Sequence, residues 1–229
     1  MKNIAIITAR GGSKRIPRKN IKNFLGKPIL AYAIDAALNA NLFDEVMVST
    51  DDDEIKQIAL KYGANVPFIR SSKTSNDYAT TKDVLEEVLK EYTKLGKTFE
   101  NLCCIYPCAP FLNPKILKKA YKIFIKDGND MLMPIVKFSH PIQRALKINQ
   151  QNLLEYFNSE NKNNRTQDLE KTFHDVGMFY FWRLPIVENP KTTPFILDER
   201  FVQDIDTLDD WKMAEIKYKM MKEALKGHF

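Results

Sequence analysis

The chain has 229 residues, of which 44% are hydrophobic, 28% charged and 11% aromatic, with 8 glycines and 11 prolines. This composition excludes collagen-like, low-complexity and wholly disordered chains, and a domain of this size buries roughly 72% of its unfolded surface. The net charge of +6 is concentrated near the N-terminus, because eight lysines and arginines precede Asp35, the first acidic residue. Such a local cationic site fits a small phosphorylated ligand better than a nucleic acid.

In chain order, residues 4–8 are a short β-branched run that predicts a buried strand entering a glycine-containing loop. Pro28 opens a helical pattern, and residues 46–50 predict the next buried strand. Acidic residues 51–54, an apolar stripe and Gly63 as a stop signal predict the second helix. The chain therefore begins as β-α-β-α.

Residues 67–69 predict a short strand, and Thr80 with Asp83 resembles a capping box at the start of a third helix. Residues 102–106 predict another strand, and Asn113 followed by proline marks a further helix start. Alternating strands and helices favour a mostly parallel sheet covered on both faces. We therefore predict an α/β, Rossmann-like three-layer fold.

The alternation weakens over residues 137–175, where segments 144–148 and 153–157 predict a hairpin followed by a polar loop. We interpret residues 137–175 as a β-rich insertion within a single domain spanning residues 1–229. Residues 177–182 predict a further strand. The last predicted helix begins at Thr207 with Asp210, and its apolar face consists of Trp211, Ala214, Tyr218, Met221 and Leu225.

The cysteines Cys103, Cys104 and Cys108 form no CxxC pair, so neither a disulfide framework nor a zinc site is indicated. The apolar run 4–7 is too short for a signal peptide, and no later stretch reaches the ~18 apolar residues of a membrane span. We therefore expect a cytoplasmic protein with no membrane partner.

The segment ARGGSKRIPRKN, residues 9–20, places two glycines and five cations after the first strand. Backbone N–H groups and cations in such a loop can wrap and neutralise a nucleoside triphosphate. The segment is neither GxxxxGK[ST] nor GxGxxG, which disfavours a P-loop NTPase and a dinucleotide-dependent oxidoreductase. The alternative is a basic surface loop.

Asp204 and Asp206 alternate on a β-like segment, so both carboxylates are expected on the same side of the chain. Two hard oxygen ligands fit Mg²⁺. The alternative is an acidic pair at the entry of the last helix. Asp51 and Asp52 are interpreted as acids at a helix N-terminus and are not assigned to the metal.

Residues 9–20 closely resemble the signature of the cytidylyltransferases that make CMP-activated sugar acids, the CMP-sialate synthetase family. The similarity extends along nearly the whole chain, through the segments VSTDDDEI, YGANVPFIR, YPCAPF, RTQDL and QDIDT. The resemblance implies a nucleotidyltransferase fold and attack of a sugar-acid hydroxyl on the α-phosphorus of CTP, expelling pyrophosphate. It also implies that Mg²⁺ is required.

By the same resemblance, Arg10, Lys14 and Lys19 hold the triphosphate and offset the charge of the leaving pyrophosphate. With Asp204 and Asp206, the metal ligands, they are the predicted catalytic residues. The predicted nucleotide site consists of Ala9, Arg10, Gly11, Gly12, Ser13, Lys14, Lys19, Asn20, Arg70, Asp77 and Thr80.

The family's sugar site falls in the irregular half of the chain, where an arginine can bind a carboxylate through two parallel hydrogen bonds. Phe111 and Phe179 are candidates for an apolar wall beside it. A solvated surface charge is the alternative for each polar candidate. The predicted sugar-binding residues are Tyr106, Gln143, Arg144, Arg165, Gln167, Asp168 and His174.

Family members that act on sialic acid usually have a Gln-Pro-Thr turn where this chain has Tyr106-Pro107-Cys108. The segments FSHPIQRAL and FHDVGMFYFW are most similar to members that act on pseudaminic acid, which we predict as the acceptor. Cys108 is interpreted as a packing residue because the reaction is a direct displacement. The resemblance further implies a homodimer built by the insertion.

Other functions stay open at this stage. The same reaction on N-acetylneuraminate, legionaminate or a keto-deoxy sugar acid is the nearest alternative. A nucleotide-binding regulator without turnover is disfavoured by the acidic pair, which pure binding would not need. An RNA-binding protein would show a steep salt dependence of RNA affinity, whereas we expect CTP and a sugar acid as ligands and no nucleic acid.

Overall fold

The structure, a computed structural model, describes residues 1–226, with side chains up to Glu223. The helices are α1 (Ile29–Ala40), α2 (Asp53–Lys61), α3 (Ser72–Ser75), α4 (Thr81–Lys94), α5 (Pro114–Asp127) and α6 (Leu208–Lys226). The strands are β1 (Asn3–Thr8), β2 (Asn23–Phe24), β3 (Lys27–Pro28), β4 (Glu45–Ser49), β5 (Asn101–Ile105), β6 (Met131–Lys137), β7 (Leu146–Ile148), β8 (Leu154–Tyr156), β9 (Phe173–Asp175), β10 (Phe179–Arg183) and β11 (Thr192–Ile196).

A seven-stranded sheet forms the centre of the molecule, in the order β11-β6-β10-β5-β1-β4, with β9 pairing β6 outside this path. β1 is parallel to both of its neighbours, with Ile6 opposite Met47 on β4 and Cys104 on β5. β11 is parallel to β6, whereas β10 is antiparallel to β5 and β6, and β9 is antiparallel to β6. The predicted mostly parallel sheet is confirmed.

Helices cover both faces of this sheet. Ala5 and Ile7 of β1 belong to a large buried cluster with residues of α1, α5 and α6. Ile4 and Ile6 point to the other face, where a smaller cluster includes Leu85 of α4. Successive side chains of a strand point to opposite faces of the sheet, so a strand that is apolar throughout is buried on both faces. The predicted three-layer α/β architecture is confirmed.

The helix ends follow the local signals in the sequence. Thr80 and Asp83 form a complete capping box at the start of α4. The Asn113 side chain accepts a hydrogen bond from the Ile116 N–H at the start of α5, and Gly128 ends that helix in a left-handed conformation with φ of 68°. The side chain of Leu225, predicted on the apolar face of α6, lies outside the described residues.

The strand predicted at residues 67–69 is wrong, because that segment runs irregularly beside β4. Only Asn65 pairs with the sheet there, through an isolated parallel bridge to Met47. Pro67 has no N–H to donate to a ladder, which ends the pairing after a single bridge.

Residues 138–172 connect β6 to β9 and contain the predicted hairpin. β7 and β8 pair only with each other, with Leu146 opposite Tyr156. Leu146, Ile148, Leu154 and Phe157 are exposed on this segment. In the described part of the chain, no helix is both long and apolar enough to cross a membrane.

Candidate active site

The loops that follow β1, β4 and β5 gather at one edge of the sheet, as expected for the carboxyl ends of parallel strands. The connection that precedes β10 reaches the same edge, because Phe179 at the start of β10 pairs with Ile105 at the end of β5. This edge therefore receives residues from distant parts of the chain, among them several of the predicted site residues.

The phosphate loop, defined here as residues 9–19, leaves β1 at this edge. The Ala9 N–H donates to the Ser49 carbonyl at 3.0 Å, and the Ser13 N–H donates to the Gly11 carbonyl at 3.0 Å. A Cβ on Gly11 would lie 2.8 Å from Oδ2 of Asp52, so only glycine fits that position without displacing the carboxylate. A Cβ on Gly12 would meet nothing within 4 Å.

Two cations of the phosphate loop share one carboxylate. Nη2 of Arg10 lies 2.9 Å from Oδ1 of Asp77, and Nζ of Lys14 lies 2.5 Å from Oδ2. These hydrogen bonds, chiefly the one from Lys14, lower the pKa of the Asp77 carboxyl below its ordinary value. The side chains that would bind phosphate are therefore already held next to one another by an anion.

Two further cations meet the acidic pair near the C-terminal helix. Nη1 of Arg15 lies 2.7 Å from Oδ2 of Asp206, and Nζ of Lys19 lies 3.6 Å from Oδ1 and donates to the Ile205 carbonyl at 2.6 Å. Burial, and secondly the charge of Asp206, raise the pKa of the Asp204 carboxyl. The structure thus brings the predicted metal ligands against the phosphate loop.

Gly177 lies close to both Asp204 and the predicted sugar-binding residue Tyr106. Its φ is 59°, a left-handed conformation that glycine adopts without strain. A Cβ at this position would lie 3.9 Å from Oδ1 of Asp204 and 4.0 Å from Cδ2 of Tyr106. Asp204 and Tyr106 therefore both lie next to the turn that precedes β10.

The donor chemistry of Asp204 and Asp206 suits a hard divalent cation. Among the described residues, no group of three or more histidine, cysteine or acidic side chains is arranged to hold a metal ion. Mg²⁺ is commonly bound by one or two carboxylates together with water and substrate phosphates. Bound Mg²⁺ would also offset the burial and, secondly, the repulsion by Asp206 that together raise the pKa of the Asp204 carboxyl. The two carboxylates therefore fit Mg²⁺ bound jointly with a nucleotide.

A cavity of about 260 Å³ lies beside the phosphate loop. Its walls include the predicted nucleotide residues Arg10, Arg70, Asp77 and Thr80, together with Tyr106. Arg70 is buried, donates from Nε to Oγ of Ser49 at 3.0 Å, and has a pKa lowered by burial. The predicted nucleotide residues Arg70, Asp77 and Thr80 are thus contiguous with the cations of the phosphate loop.

Asn20 connects the two ends of the phosphate loop. It is buried, and its Nδ2 donates to the Arg10 carbonyl at 2.8 Å. The Cys108 thiol lies 3.3 Å from Oδ1 of the same amide. Asn20, which directly follows the phosphate loop, is therefore held against its beginning.

Tyr106, a predicted sugar-binding residue, lines the same cavity as the predicted nucleotide residues. Its hydroxyl lies 3.2 Å from Oγ1 of Thr81, and its ring packs edge-on against Tyr180 with centroids 5.5 Å apart. Tyr180 in turn donates to Oδ2 of Asp175 at 2.6 Å. This hydrogen-bonded aromatic pair forms a fixed wall at the edge of the sheet.

The other predicted sugar residues lie apart from the phosphate loop. His174 is on β9, where Nδ1 lies 2.8 Å from the Asp175 carbonyl oxygen. Within the described residues, the side-chain hydrogen bonds of the remaining five all end inside residues 143–170. Gln143 donates to the Glu170 carbonyl, Arg144 donates to Thr166, Arg165 pairs with Asp168, and Gln167 lines a small cavity of about 90 Å³.

The two phenylalanines considered for the apolar wall belong to the core. Phe111 and Phe179 are wholly or almost wholly buried in the large cluster, where Phe111 contacts Tyr218 and Phe179 contacts Phe181 and Phe195. They are therefore wrong as surface residues of a sugar site: Phe179 points from β10 into the helix layer, and Phe111, in the connection between β5 and α5, packs into the same core.

A family model described as cytidylyltransferase matches residues 4–191. The chain belongs to the cytidylyltransferase family. Two relatives from strains of Campylobacter jejuni, each named pseudaminic acid cytidylyltransferase, are 44% identical over 98% of this chain and 99% of their own length. A relative from Legionella pneumophila, named CMP-N,N'-diacetyllegionaminic acid synthase, is 31% identical over 98% of this chain and 100% of its own.

The fold of this cytidylyltransferase is also found among solved structures. The complex of CMP:2-keto-3-deoxy-manno-octonic acid synthetase with CTP aligns with a TM-score of 0.68 at 19% identity, covering 97% of this chain and all of the other. A 4-diphosphocytidyl-2C-methyl-D-erythritol synthase from Anaerococcus prevotii aligns with a TM-score of 0.63 at 17% identity, covering 95% and 98%. The predicted nucleotidyltransferase fold is confirmed.

Several side chains at the site of this cytidylyltransferase were not among the predicted site residues. Arg15 and Arg18 can be recognised in the sequence as cations of the loop. Their roles differ from those of Lys14 and Lys19 only through the carboxylates that they contact in the folded structure. The Asn76 carbonyl accepts from Nη1 of Arg10 at 2.8 Å, and a backbone carbonyl leaves no trace in the sequence. Asp175 adjoins His174, but its bond to Tyr180 depends on the return of the chain in β10.

Cys108 should be chemically inert in the folded cytidylyltransferase. Burial raises the pKa of its thiol to about 12, so the reactive thiolate is scarce at neutral pH. We expect iodoacetamide at pH 8 to leave Cys108 unmodified in the native protein and to leave activity unchanged, whereas the unfolded chain reacts. Mass spectrometry of tryptic peptides measures the modification. Rapid labelling of native Cys108 with loss of activity would instead indicate a thiolate at the site.

Proposed function

We propose that this cytidylyltransferase transfers CMP from CTP to pseudaminic acid, releasing pyrophosphate. The observation that carries the proposal is the meeting of the phosphate loop with Asp204 and Asp206 at the carboxyl edge of the sheet, where Arg15 and Lys19 contact Asp206. Cations and a carboxylate pair next to one another suit a reaction in which a charged triphosphate is cleaved.

In this proposal, the phosphate loop binds the triphosphate and stabilises the charge that develops on the leaving pyrophosphate. Arg10 and Lys14, which now share Asp77, would transfer their hydrogen bonds to phosphate oxygens. The acceptor hydroxyl gives up its proton to solvent, and its oxygen forms a bond to the α-phosphorus as the bond to the bridging oxygen of pyrophosphate breaks. Holding both reactants in line accounts for much of the rate enhancement in such transfers.

We propose Asp204 and Asp206 as the residues that hold Mg²⁺. The bound ion would supply positive charge beside the phosphates and fix their orientation. Lys19 would remain close by, because it is anchored by its hydrogen bond to the Ile205 carbonyl between the two carboxylates. The nucleotide and the metal would therefore bind cooperatively.

The choice of pseudaminic acid rests on sequence similarity and on Tyr106. Relatives named for pseudaminic acid are 44% and 37% identical, against 31% and 32% for those named for legionaminic acid and N-acylneuraminate. Compared with sialate, pseudaminic acid carries a terminal methyl in place of a hydroxyl, so an aromatic edge suits it. The half-buried ring of Tyr106, packed against the buried Tyr180, offers such an edge beside Gly177.

We also propose that the enzyme is a cytoplasmic homodimer without a nucleic-acid partner. The exposed apolar side chains of the β7–β8 hairpin, Leu146, Ile148 and Leu154, suit burial against a second copy. The excess of basic residues is confined to the segment before Asp35, which suits a small phosphorylated ligand better than an extended nucleic-acid surface. CTP, the proposed donor, is a cytoplasmic nucleotide.

The deciding experiment is incubation of purified protein with CTP, Mg²⁺ and a panel of sugar acids, with pyrophosphate release as the measurement. We expect kcat/KM for pseudaminic acid to exceed that for N-acetylneuraminic acid by about 10- to 100-fold, because burying an unpartnered hydroxyl costs ~1–3 kcal/mol. Equal or better turnover of N-acetylneuraminic acid would overturn the acceptor. CTP binding without turnover of any acid would favour a nucleotide-binding regulator.

A further inference from the structure

One cation of the phosphate loop has partners unlike those of the other four. The guanidinium of Arg18 makes two parallel hydrogen bonds to Asp52, from Nη1 to Oδ2 and, at 2.9 Å, from Nη2 to Oδ1. Nη2 also lies 2.6 Å from Oε2 of Glu54. Asp52 is the N-cap of α2 and Glu54 lies in its first turn, whereas the other loop cations pair with Asp77 or Asp206.

The partner of Arg18 is itself held in place. Oδ1 of Asp52 accepts the Ile55 N–H at 2.9 Å as the N-cap of α2, and the Asp52 N–H donates to Oγ1 of Thr50 at 3.2 Å. The side chain of Asp52 is 21% exposed, against 44% for Asp77 and 39% for Asp206. Its hydrogen bonds to Arg18 lower the pKa of Asp52, so the pair is charged at neutral pH.

The same helix start also holds the beginning of the loop. The Gly11 N–H donates to Oδ1 of Asp51 at 2.9 Å, and Oδ2 of Asp52 occupies the space that a Cβ on Gly11 would need. At the other end, Arg18 has a left-handed backbone with φ of 55°, which is uncommon outside glycine and needs support from its surroundings. Asp51 and Asp52 thus fix the loop at both ends.

We infer that Arg18 is a positioning residue that, through Asp52, holds the phosphate loop in the shape that brings Arg10, Lys14 and Lys19 together. Arg18 itself makes no contact with the nucleotide. The inference rests on the proposed function for the identity of the ligand. Without Arg18, the phosphate loop would be ordered for only a fraction of the time, and the apparent Kd for CTP would rise by the inverse of that fraction. Once CTP is bound the loop is ordered, so kcat changes little.

The test uses Arg18→Ala and measures three quantities. Calorimetric titration with CTP and Mg²⁺ should show a Kd increased about tenfold, which corresponds to ~1.4 kcal/mol. The kcat at saturating CTP should stay within about twofold of wild type, since the substitution weakens binding of the ground state and the transition state equally. Hydrogen exchange should accelerate in peptides covering residues 9–19 and not in those covering β5. Lys94→Ala, which removes an exposed pair with Glu91 on α4, is the matched control and should change none of these.

Asp52→Asn keeps a side chain able to cap α2 while removing the charge that Arg18 binds. We expect the double variant Arg18→Ala with Asp52→Asn to bind CTP no more weakly than Arg18→Ala alone, and Arg18→Lys to recover part of the affinity. A fall in kcat comparable to that of Lys14→Ala, or full additivity of the two substitutions, would identify Arg18 as a phosphate ligand and overturn the inference.

Failure of the proposed function is separable from failure of this inference. If wild type binds CTP but turns over no sugar acid, the Kd still tests the role of Arg18. If wild type does not bind CTP, loop exchange remains the test. Unchanged exchange in Arg18→Ala overturns the positioning role in either case.

Discussion

Replacing Asp204 or Asp206 by asparagine is expected to lower kcat by about 100-fold or more while leaving the fold intact. Loss of one preorganised electrostatic partner of a charged transition state costs ~3 kcal/mol of barrier. Both residues lie outside the helices and strands, on the segment before α6, and neither is part of the buried core. Steady-state pyrophosphate release at saturating CTP and varied Mg²⁺ measures the effect.

Although Asp204→Asn is expected to lower kcat, it should not lower the stability of the fold at neutral pH. Burial and Asp206 raise the folded-state pKa of Asp204 above its unfolded value, so the folded protein binds the extra proton more tightly. This contribution to stability is complete below the unfolded pKa and is lost as the pH rises through the folded pKa. At pH 7, with a chelator present, Asp204→Asn should therefore unfold at or above the wild-type temperature.

Thermal unfolding of wild type and Asp204→Asn between pH 4 and pH 7 checks this expectation. The difference between their unfolding temperatures at each pH reports the contribution of Asp204. Asp209→Asn is a suitable control, because Asp209 is an exposed residue of the first turn of α6 that pairs with Lys212. A kcat within about threefold of wild type for both Asp204→Asn and Asp206→Asn would contradict the metal assignment.

The elements that the sequence predicts well are those with local signals. The capping box at Thr80, the Asn113–Pro114 start and the Gly128 stop each depend on residues a few positions apart, and all three appear in the structure. β6 and β11 carry no such signal. Each contains a proline, Pro134 and Pro194, and β11 is an edge strand whose partner lies about 60 residues away. Their pairing depends on tertiary contacts.

The position of the site was predictable for a different reason. Carboxyl ends of parallel strands meet at one edge, so loops after β1, β4 and β5 had to converge. The partners of each cation were not predictable, since Lys14 and Asp77 are 63 residues apart and Arg15 and Asp206 are 191 apart. Whether a given cation of the phosphate loop contacts Asp52, Asp77 or Asp206 depends on the path of the folded backbone.

Lys14→Ala is expected to lower kcat/KM for CTP by about 100-fold, with losses in both kcat and the affinity for CTP. The side chain of Lys14 is 80% exposed and is held at the site by its contact with Asp77. A charge-assisted hydrogen bond to phosphate exists in the bound complex and strengthens as negative charge accumulates on pyrophosphate. Removing it therefore raises KM through the first effect and lowers kcat through the second.

Lys22→Ala is the matched control for this substitution. Lys22 carries the same charge three residues beyond the phosphate loop, and its ammonium lies 5.7 Å from the ring of Trp211 on α6. Both variants remove one positive charge, so a general effect of net charge on nucleotide binding would appear in both at low salt. We expect near-normal CTP kinetics for Lys22→Ala. Unchanged CTP kinetics in Lys14→Ala would mean that its ammonium serves only Asp77, and that Arg10 and Lys19 bind the triphosphate without it.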